Sequence, residues 1–239
     1  MSDACLVAEG LTKRYFRKGR ESAREFDAVS NVSLELMPGE LVVLMGRSGG
    51  GKSTLLNMLA GLLEPSEGTV TFEGKNLYAM GDEERSRLRN ESFGVMPQGQ
   101  TPLYSLSVIQ NVTLPQLMYR EEAGIEGRAM DLLDELGIKP LADAYPEELS
   151  GGELRRMAIA RALLGKPRIL LADEPTGDLD DESTRMVLEK LQAAAQAGAA
   201  VLIATHDQAT ISYADRVLNI DGGVLKEAHD EKGEKWNRR

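Results

Sequence analysis

A glycine-rich segment near the start of the chain has the spacing of a phosphate-binding loop. GRSGGGKST at 46–54 fits the pattern G-x-x-x-x-G-K-[ST], with Gly46, Gly51, Lys52 and Ser53 at the fixed positions. Glycines let the backbone turn tightly with its N–H groups directed inward, and the following helix adds its positive end. We expect Lys52 to reach the β- and γ-phosphates of a nucleotide and Ser53 to bind Mg²⁺. The other nucleotide-binding residues of this loop would be Arg47, Ser48, Gly49, Gly50 and Thr54.

Two consecutive carboxylates follow an apolar segment later in the chain. In ILLADEPTGDLD, residues 169–172 predict a buried strand, and Asp173 and Glu174 come at its C-terminal end, where ligands bind in open α/β sheets. Nucleotide hydrolysis needs a second metal contact and a group that positions water. We expect Asp173 to contact Mg²⁺, mainly through water, and Glu174 to be the general base. For Asp173 alone, helix capping would be the alternative.

A histidine follows another buried apolar run. His206 comes directly after AVLIAT at 200–205, and the other histidine, His229, lies near the C-terminus. A histidine at the end of a strand can hydrogen-bond a γ-phosphate and respond to its loss. Alone, such a residue would more often cap or pack an element. Beside a phosphate-binding loop and an acidic strand end, we expect a catalytic role.

The elements that must position these residues alternate between strands and helices. VSLEL at 32–36 predicts a half-exposed strand, and LVVLM at 41–45 predicts a buried strand leading into the glycine-rich loop. The helix KSTLLNMLAG should follow and end at Gly61. RILLAD at 168–173 and AVLIAT, separated by a helical pattern, form a βαβ unit, which indicates a parallel sheet covered by helices.

Between these parts, residues 82–164 have a mostly helical pattern, and only SFGVM in this region reads as extended. A second glycine-rich run, LSGGELRR at 149–156, lies here with no strand leading into it. Ser150 and Glu153 have the spacing of a capping box, which predicts a helix that starts near Glu153. The sequence thus predicts a helical insert within a sheet-based nucleotide domain.

Composition narrows the function classes. The 239 residues are 42% hydrophobic, enough for one sizeable domain, and the net charge of −10 argues against a nucleic-acid partner. Cys5 is the single cysteine, so no intrachain disulfide can form, and we expect it to be a buried strand residue. No signal peptide is expected, and no apolar run is long enough to span a bilayer. We therefore expect a cytoplasmic protein, which at a membrane would need a partner chain.

The P-loop, LSGGE, the Asp-Glu pair and the Thr-His pair, in this order, resemble the ATP-binding subunit of an ABC transporter over nearly the whole chain. The resemblance implies an α/β fold: a P-loop NTPase core with a mixed, mainly parallel sheet, an antiparallel β lobe and an inserted helical lobe. It implies one domain over 1–230, with the helical lobe at about 99–162 and a charged tail at 231–239. It also implies an ATPase with ATP and Mg²⁺ as cofactors.

The same resemblance implies a function for the second glycine-rich run, LSGGELRR. In that family it closes over ATP held by another subunit, so Ser150, Gly151 and Gly152 would clamp the nucleotide of a partner ATPase. This implies dimerisation with a second copy or a homologous subunit. The capping-box interpretation remains compatible, because the same N–H groups serve both purposes. Asp180 would lie in the loop that crosses the dimer interface.

Two further site residues come from the resemblance. Tyr15 resembles the aromatic residue that stacks on adenine, although the long charged segment 16–27 leaves the reach of that pocket open. Gln98 resembles the glutamine that contacts Mg²⁺ and the lytic water, with Gln100 as a nearby competitor. Pro97, which precedes it, departs from the usual aromatic or apolar residue and would stiffen the link between the lobes. Glu153 is a second departure, since the family more commonly has glutamine at this position of the LSGG run.

The resemblance also implies a membrane permease as partner and a peripheral position on the cytoplasmic face of the membrane. ERSRLRNESFGVMPQ and IQNVTLPQLM most resemble the lipoprotein-release and macrolide-export branch. The alternative is a soluble or non-transport ABC-type ATPase, in cell division or associated with nucleic acid. No sustained heptads separate the two glycine runs, unlike in chromosome-maintenance relatives.

Overall fold

The computed structural model describes residues 4–18, 23–99, 101–119 and 124–227. The strands are β1 (Leu6–Lys18), β2 (Ala23–Leu36), β3 (Leu41–Met45), β4 (Glu67–Phe72), β5 (Lys75–Asn76), β6 (Phe93–Met96), β7 (Ile169–Asp173), β8 (Ala200–Thr205), β9 (Arg216–Asp221) and β10 (Val224–Glu227). The α-helices are α1 (Lys52–Leu59), α2 (Asp82–Ser92), α3 (Val108–Leu117), α4 (Ile125–Glu135), α5 (Gly151–Leu163) and α6 (Asp181–Gln196).

The central sheet has six strands in the order β10-β9-β3-β8-β7-β6. All neighbours are parallel except β10, which pairs with β9 in the antiparallel sense. β3, β7 and β8 are apolar and almost wholly buried, as expected for parallel strands covered on both faces. The predicted mixed, mainly parallel sheet is confirmed.

Alternate residues of the central strands feed two cores, one on each face. Val43 and Ile203 point into the core shared with α3, α4, α5 and α6. Val42 and Leu202 point into the core shared with α1 and a second sheet. Because both faces are covered, the carboxyl ends of β3, β7 and β8 form a rigid edge on which a site can be built.

The second sheet is antiparallel, in the order β2-β1-β4-β5, and is the expected β lobe. Its hairpin is longer than the sequence patterns predicted: β2 starts at Ala23, well before the predicted strand at 32–36. Charged pairs replace apolar alternation there, since Arg14 Nε lies 3.1 Å from both Glu25 and Asp27. Cys5 is buried, as predicted, but immediately precedes β1 instead of lying within it.

The helical part packs as an insert between β6 and β7. α3, α4 and α5 meet around Val112, Leu133 and Met157, all fully buried. α5 begins at Gly151, so the predicted start near Glu153 was two residues late. Within the described residues, no helix has both the length and the apolar character needed to cross a membrane. The proposed tail at 231–239 lies outside the described residues, as do His229 and Gln100.

Candidate functional site

The P-loop follows β3 and turns into α1 under tight backbone constraints. A Cβ at Gly46 would lie 2.4 Å from the carbonyl oxygen of Ile220, and one at Gly51 would lie 2.4 Å from that of Ala28. Gly51 also has a φ of 107°, which disfavours other residues. The two motif glycines are therefore required by the packing of the loop itself, which fixes the cradle in place.

Lys52 begins α1 and turns its ammonium group back into the loop. The side chain is buried, and Nζ donates to the carbonyl of Gly46 at 2.7 Å. Nζ also lies 3.3 Å from the Glu174 carboxylate. The lysine thus lies between the loop and the acidic end of β7.

Asp173 is the last residue of β7, and its carboxylate is buried without hydrogen bonds from described residues to both of its oxygens. Only 3% of the residue is exposed, and its Oδ1 has no hydrogen-bond partner within the part of the chain that the structure describes. Burial raises the pKa of Asp173, and neighbouring Glu174 adds to this, while a hydrogen bond from Ser53 and the charge of Lys52 oppose it. A buried oxygen of this kind, beside a hydroxyl, is suited to a cation or its bound water.

Glu174 carries a carboxylate that three neighbours hold. His206 Nδ1 lies 3.0 Å from its oxygens and Thr205 Oγ1 donates at 3.1 Å, in addition to the contact with Lys52. Burial alone would raise the pKa of Glu174, but the hydrogen bond from His206, the charge of Lys52 and the bond from Thr205 together lower it. The group is therefore ionised at neutral pH, as a general base must be.

His206 follows β8 and lies beside Glu174. Its ring is largely exposed and contacts the Glu174 carboxylate through Nδ1, which leaves Nε2 available for another group. Thr205, which the sequence analysis did not single out, also supports this carboxylate. A polar residue at the end of the buried run AVLIAT was the available signal for it.

Lys52, Asp173 and Glu174 line one cleft with a volume of about 220 Å³, whereas His206 lines a second pocket that shares Arg47 with it. Gln98, which follows β6, joins the first cleft, and Ala28 of the β lobe closes one side. The cleft thus brings together the predicted phosphate, metal and water-positioning residues, which are Arg47, Ser48, Gly49, Gly51, Lys52, Ser53, Thr54, Gln98, Asp173 and Glu174.

The second glycine run is not among the described residues that line this cleft. Ser150 caps α5 and forms the predicted capping box with Glu153, whose pKa is lowered by the Ser150 hydroxyl and N–H. A Cβ at Gly151 would meet no described atom within 4 Å, and one at Gly152 would meet Leu179 at 3.2 Å. The fold therefore gives no packing reason for glycine at 151.

Tyr15 lies on the exposed part of β1 and likewise does not line the cleft in the described structure. It pairs with Phe26 across the hairpin, with ring centroids 5.9 Å apart, and Lys13 Nζ lies 5.8 Å from its ring centre. Phe16, its neighbour, is 72% exposed. An aromatic surface is thus present on the β lobe, and the adenine contact stays a prediction.

Comparison with known proteins identifies the family. A family model described as ABC transporter matches residues 29–177, more than half of the chain. The lipoprotein-releasing system ATP-binding protein LolD of Pseudomonas syringae pv. tomato is 41% identical over 231 residues, which cover 95% of this chain and 100% of that protein. An uncharacterized ABC transporter ATP-binding protein of Mycobacterium tuberculosis is 39% identical over 216 residues, covering 88% of this chain and 84% of that protein.

Solved structures give the same answer. The bacterial ABC transporter cassette MJ0796, solved as a dimer and in a post-hydrolysis state with ADP and Pi, superposes with a TM-score of 0.85. It is 30% identical and covers 92% of this chain and 97% of its own. The chain belongs to the ABC transporter family, as the sequence motifs predicted. It is an ATP-binding and ATP-hydrolysing subunit of such a transporter. The family match and the relatives favour a transporter subunit over the alternative, a non-transport ATPase.

Proposed function

We propose that two copies of this ABC transporter ATPase close around ATP, each nucleotide lying between the P-loop of one copy and the LSGG run of the other. The observation that carries the proposal is the separation of the two runs. Lys52 and Ser53 line the cleft, whereas Ser150, Gly151 and Gly152 start a helix elsewhere in the same chain. An N-terminal turn with open space beside the Cα of Gly151 suits the close approach of an anion brought by another molecule.

Mg²⁺ fits the residues at the end of β7. Oδ1 of Asp173, which has no partner among the described residues, and the Ser53 hydroxyl beside it supply oxygen ligands. Gln98 adds an amide oxygen at the edge of the cleft. When bound, the ion would offset the charge of the β- and γ-phosphates. Through the ion, the same three ligands would orient the nucleotide relative to Lys52.

For hydrolysis, Glu174 accepts the proton of the attacking water. His206 Nδ1 and Thr205 Oγ1 fix the orientation of its carboxylate. His206 Nε2 is then available to contact the γ-phosphate. Lys52, which touches Glu174, would exchange that contact for the β- and γ-phosphates when ATP binds. Gln98 would sit near the water and carry the state of the site towards the helical lobe.

A permease subunit in the membrane is the proposed partner, which would place this chain on the cytoplasmic face. The segment from Gln98 to Pro115 offers a docking surface, because Leu103 and Tyr104 are exposed and Leu106 is partly so. The near full-length match to lipoprotein-releasing subunits supports that branch. No nucleic-acid partner is proposed. One domain over 1–230 with a helical lobe at about 99–162 would supply both surfaces.

The experiment separates binding from hydrolysis. Lys52→Ala should lose ATP binding, whereas Glu174→Gln should bind ATP with Mg²⁺ and lose about 10²–10⁴ in turnover, the usual contribution of a general base. Lys139→Ala, at an exposed lysine of the helical part, is the matched control. Binding is followed with a fluorescent nucleotide and turnover by phosphate release.

Glu174→Gln should also form a long-lived dimer with ATP, measured by size-exclusion chromatography. Near-normal turnover in that variant would remove Glu174 from the role of base. A monomer at saturating ATP and Mg²⁺ would contradict the shared sites.

A further inference from the structure

Arg155 carries a buried guanidinium group, and it has no role in the hydrolysis step proposed above. It lies in the second turn of α5 and is only 5% exposed. Nη1 donates to the main-chain carbonyl of Glu174, and Nη2 lies 3.5 Å from the exposed carboxylate of Asp178. Burying a charge is unfavourable unless it is paired. Within the described residues the buried Nε has no hydrogen-bond partner, so the guanidinium is held through Nη1 and Nη2.

The loop that Arg155 contacts has an unfavourable backbone. Glu174 and Asp178 have φ angles of 50° and 60°, in the left-handed region that non-glycine residues occupy only when their surroundings hold them. Gly177 lies between them, and a Cβ there would lie 2.9 Å from Nη1 of Arg155. The guanidinium therefore packs directly against the loop, and a side chain at residue 177 would have to displace it.

The start of α5 touches the same loop at further points. A Cβ at Gly152 would contact Leu179 at 3.2 Å, and Arg156 Nη1 donates to Ser183 Oγ at 2.9 Å just beyond the loop. α5 and the loop after β7 are thus held together along the first two turns of the helix. A displacement of the helix start would act on the Glu174 main chain through Arg155.

We propose that Arg155 is a positioning residue for ATP hydrolysis, which fixes the main chain of Glu174 against α5 and so aims its carboxylate at water. The inference rests on the proposed function, since it takes Glu174 as the base. The helix that offers Ser150 to the nucleotide of the partner also holds Glu174 of its own site. Arg155 therefore links the two ATP sites of the dimer.

The test compares Arg155→Gln with Arg168→Gln. Arg168 lies just before β7, at the opposite end of that strand from Glu174, with an exposed side chain. Arg155→Gln should lower kcat by about 10- to 100-fold, the scale expected for a misaligned reacting group. Its ATP affinity should be unchanged and its ATP-bound dimer should persist longer. Arg155→Lys, which keeps a charged donor, should recover part of kcat.

Gly177→Ala provides a second route that keeps the arginine. Its new Cβ would displace the guanidinium head, so kcat should fall, and the fall should disappear in the Arg155→Gln background. Such non-additivity is the signature of two residues acting through one contact. If Arg155→Gln does not fold, the kcat and dimer lifetime of Gly177→Ala, with Arg168→Gln as reference, carry the test.

Two results would overturn the inference. One is a kcat and dimer lifetime for Arg155→Gln equal to those of Arg168→Gln. The other is a joint loss of ATP affinity, thermal stability and kcat, which indicates a purely structural role. Glu174→Gln, run in parallel, separates the hypotheses: if it still hydrolyses ATP, the proposed function fails, and if it does not, a failure belongs to Arg155 alone.

Discussion

Replacing Gly151 by alanine should keep or raise the stability of the folded chain while weakening the ATP-dependent dimer. Gly151 is the first residue of α5 and has helical backbone, and a Cβ built there meets no described atom within 4 Å. Glycine within a helix is less stable than alanine by about 0.5–1 kcal/mol. The free energy of unfolding should therefore stay level or rise by up to about 1 kcal/mol.

The functional effect should have the opposite sign. If the N–H of Gly151 approaches a phosphate held by the partner, a methyl group at this position overfills the contact. Overpacking of this kind costs about 1–3 kcal/mol. A loss of that size corresponds to about 5- to 150-fold at each of the two shared sites, so the dimer should weaken by at least that factor. The rate of ATP hydrolysis should also fall at protein concentrations too low to saturate dimer formation.

Gly127→Ala is the matched control, because Gly127 lies in α4 and also has open space around its Cβ position. Stability is measured by chemical denaturation. Dimerisation is measured by sedimentation with ATP in the Glu174→Gln background, in which ATP hydrolysis should not dissociate the dimer. If Gly151→Ala dimerises as tightly as Gly127→Ala, the LSGG run does not contact nucleotide. The run would then be a capped helix start and nothing more.

Three further outcomes are expected. A tethered pair that joins Lys52→Ala to Ser150→Arg should occlude one ATP, whereas neither mutant homodimer should occlude any; equal occlusion in all three would exclude a site shared between chains. Tyr104→Asp with Leu106→Asp should release the membrane partner in a pull-down without changing basal ATPase, and a collapse of basal activity would show that they belong to the core. Tyr15→Ala should raise the Kd for ATP by about 5- to 150-fold if it stacks on adenine, from the about 1–3 kcal/mol of one base–aromatic stack, and an unchanged Kd would remove it from the site.

The sequence was informative where one short segment encodes both an element and its chemistry. The apolar run before GRSGGGKST predicts a buried strand, and the glycines predict the turn, so β3, the loop and the start of α1 follow from local signals. The same holds for the end of β7. These predictions succeed because buried parallel strands are apolar throughout and their carboxyl ends share one edge of the sheet.

The sequence was least informative where contacts cross long distances. The extension of the hairpin to Ala23 depends on cross-strand charge pairs such as Arg14 with Asp27, which have no local signature. The contact of His206 with Glu174 joins the ends of two strands, and their side-chain directions do not follow from spacing. Arg155 reads as an ordinary helical arginine until the fold places the loop after β7 against it.

The backbone at Glu174 explains how two consecutive carboxylates serve one cleft. Successive side chains of a strand point to opposite faces, so Asp173 and Glu174 would separate if β7 simply continued. The strand ends at Asp173, and Glu174 turns with a φ of 50° while its N–H donates to Ala204 at 2.8 Å. Such a conformation costs about 1–3 kcal/mol for a non-glycine residue. At Glu174 this conformation brings the proposed base to the same cleft as Asp173, the proposed metal ligand.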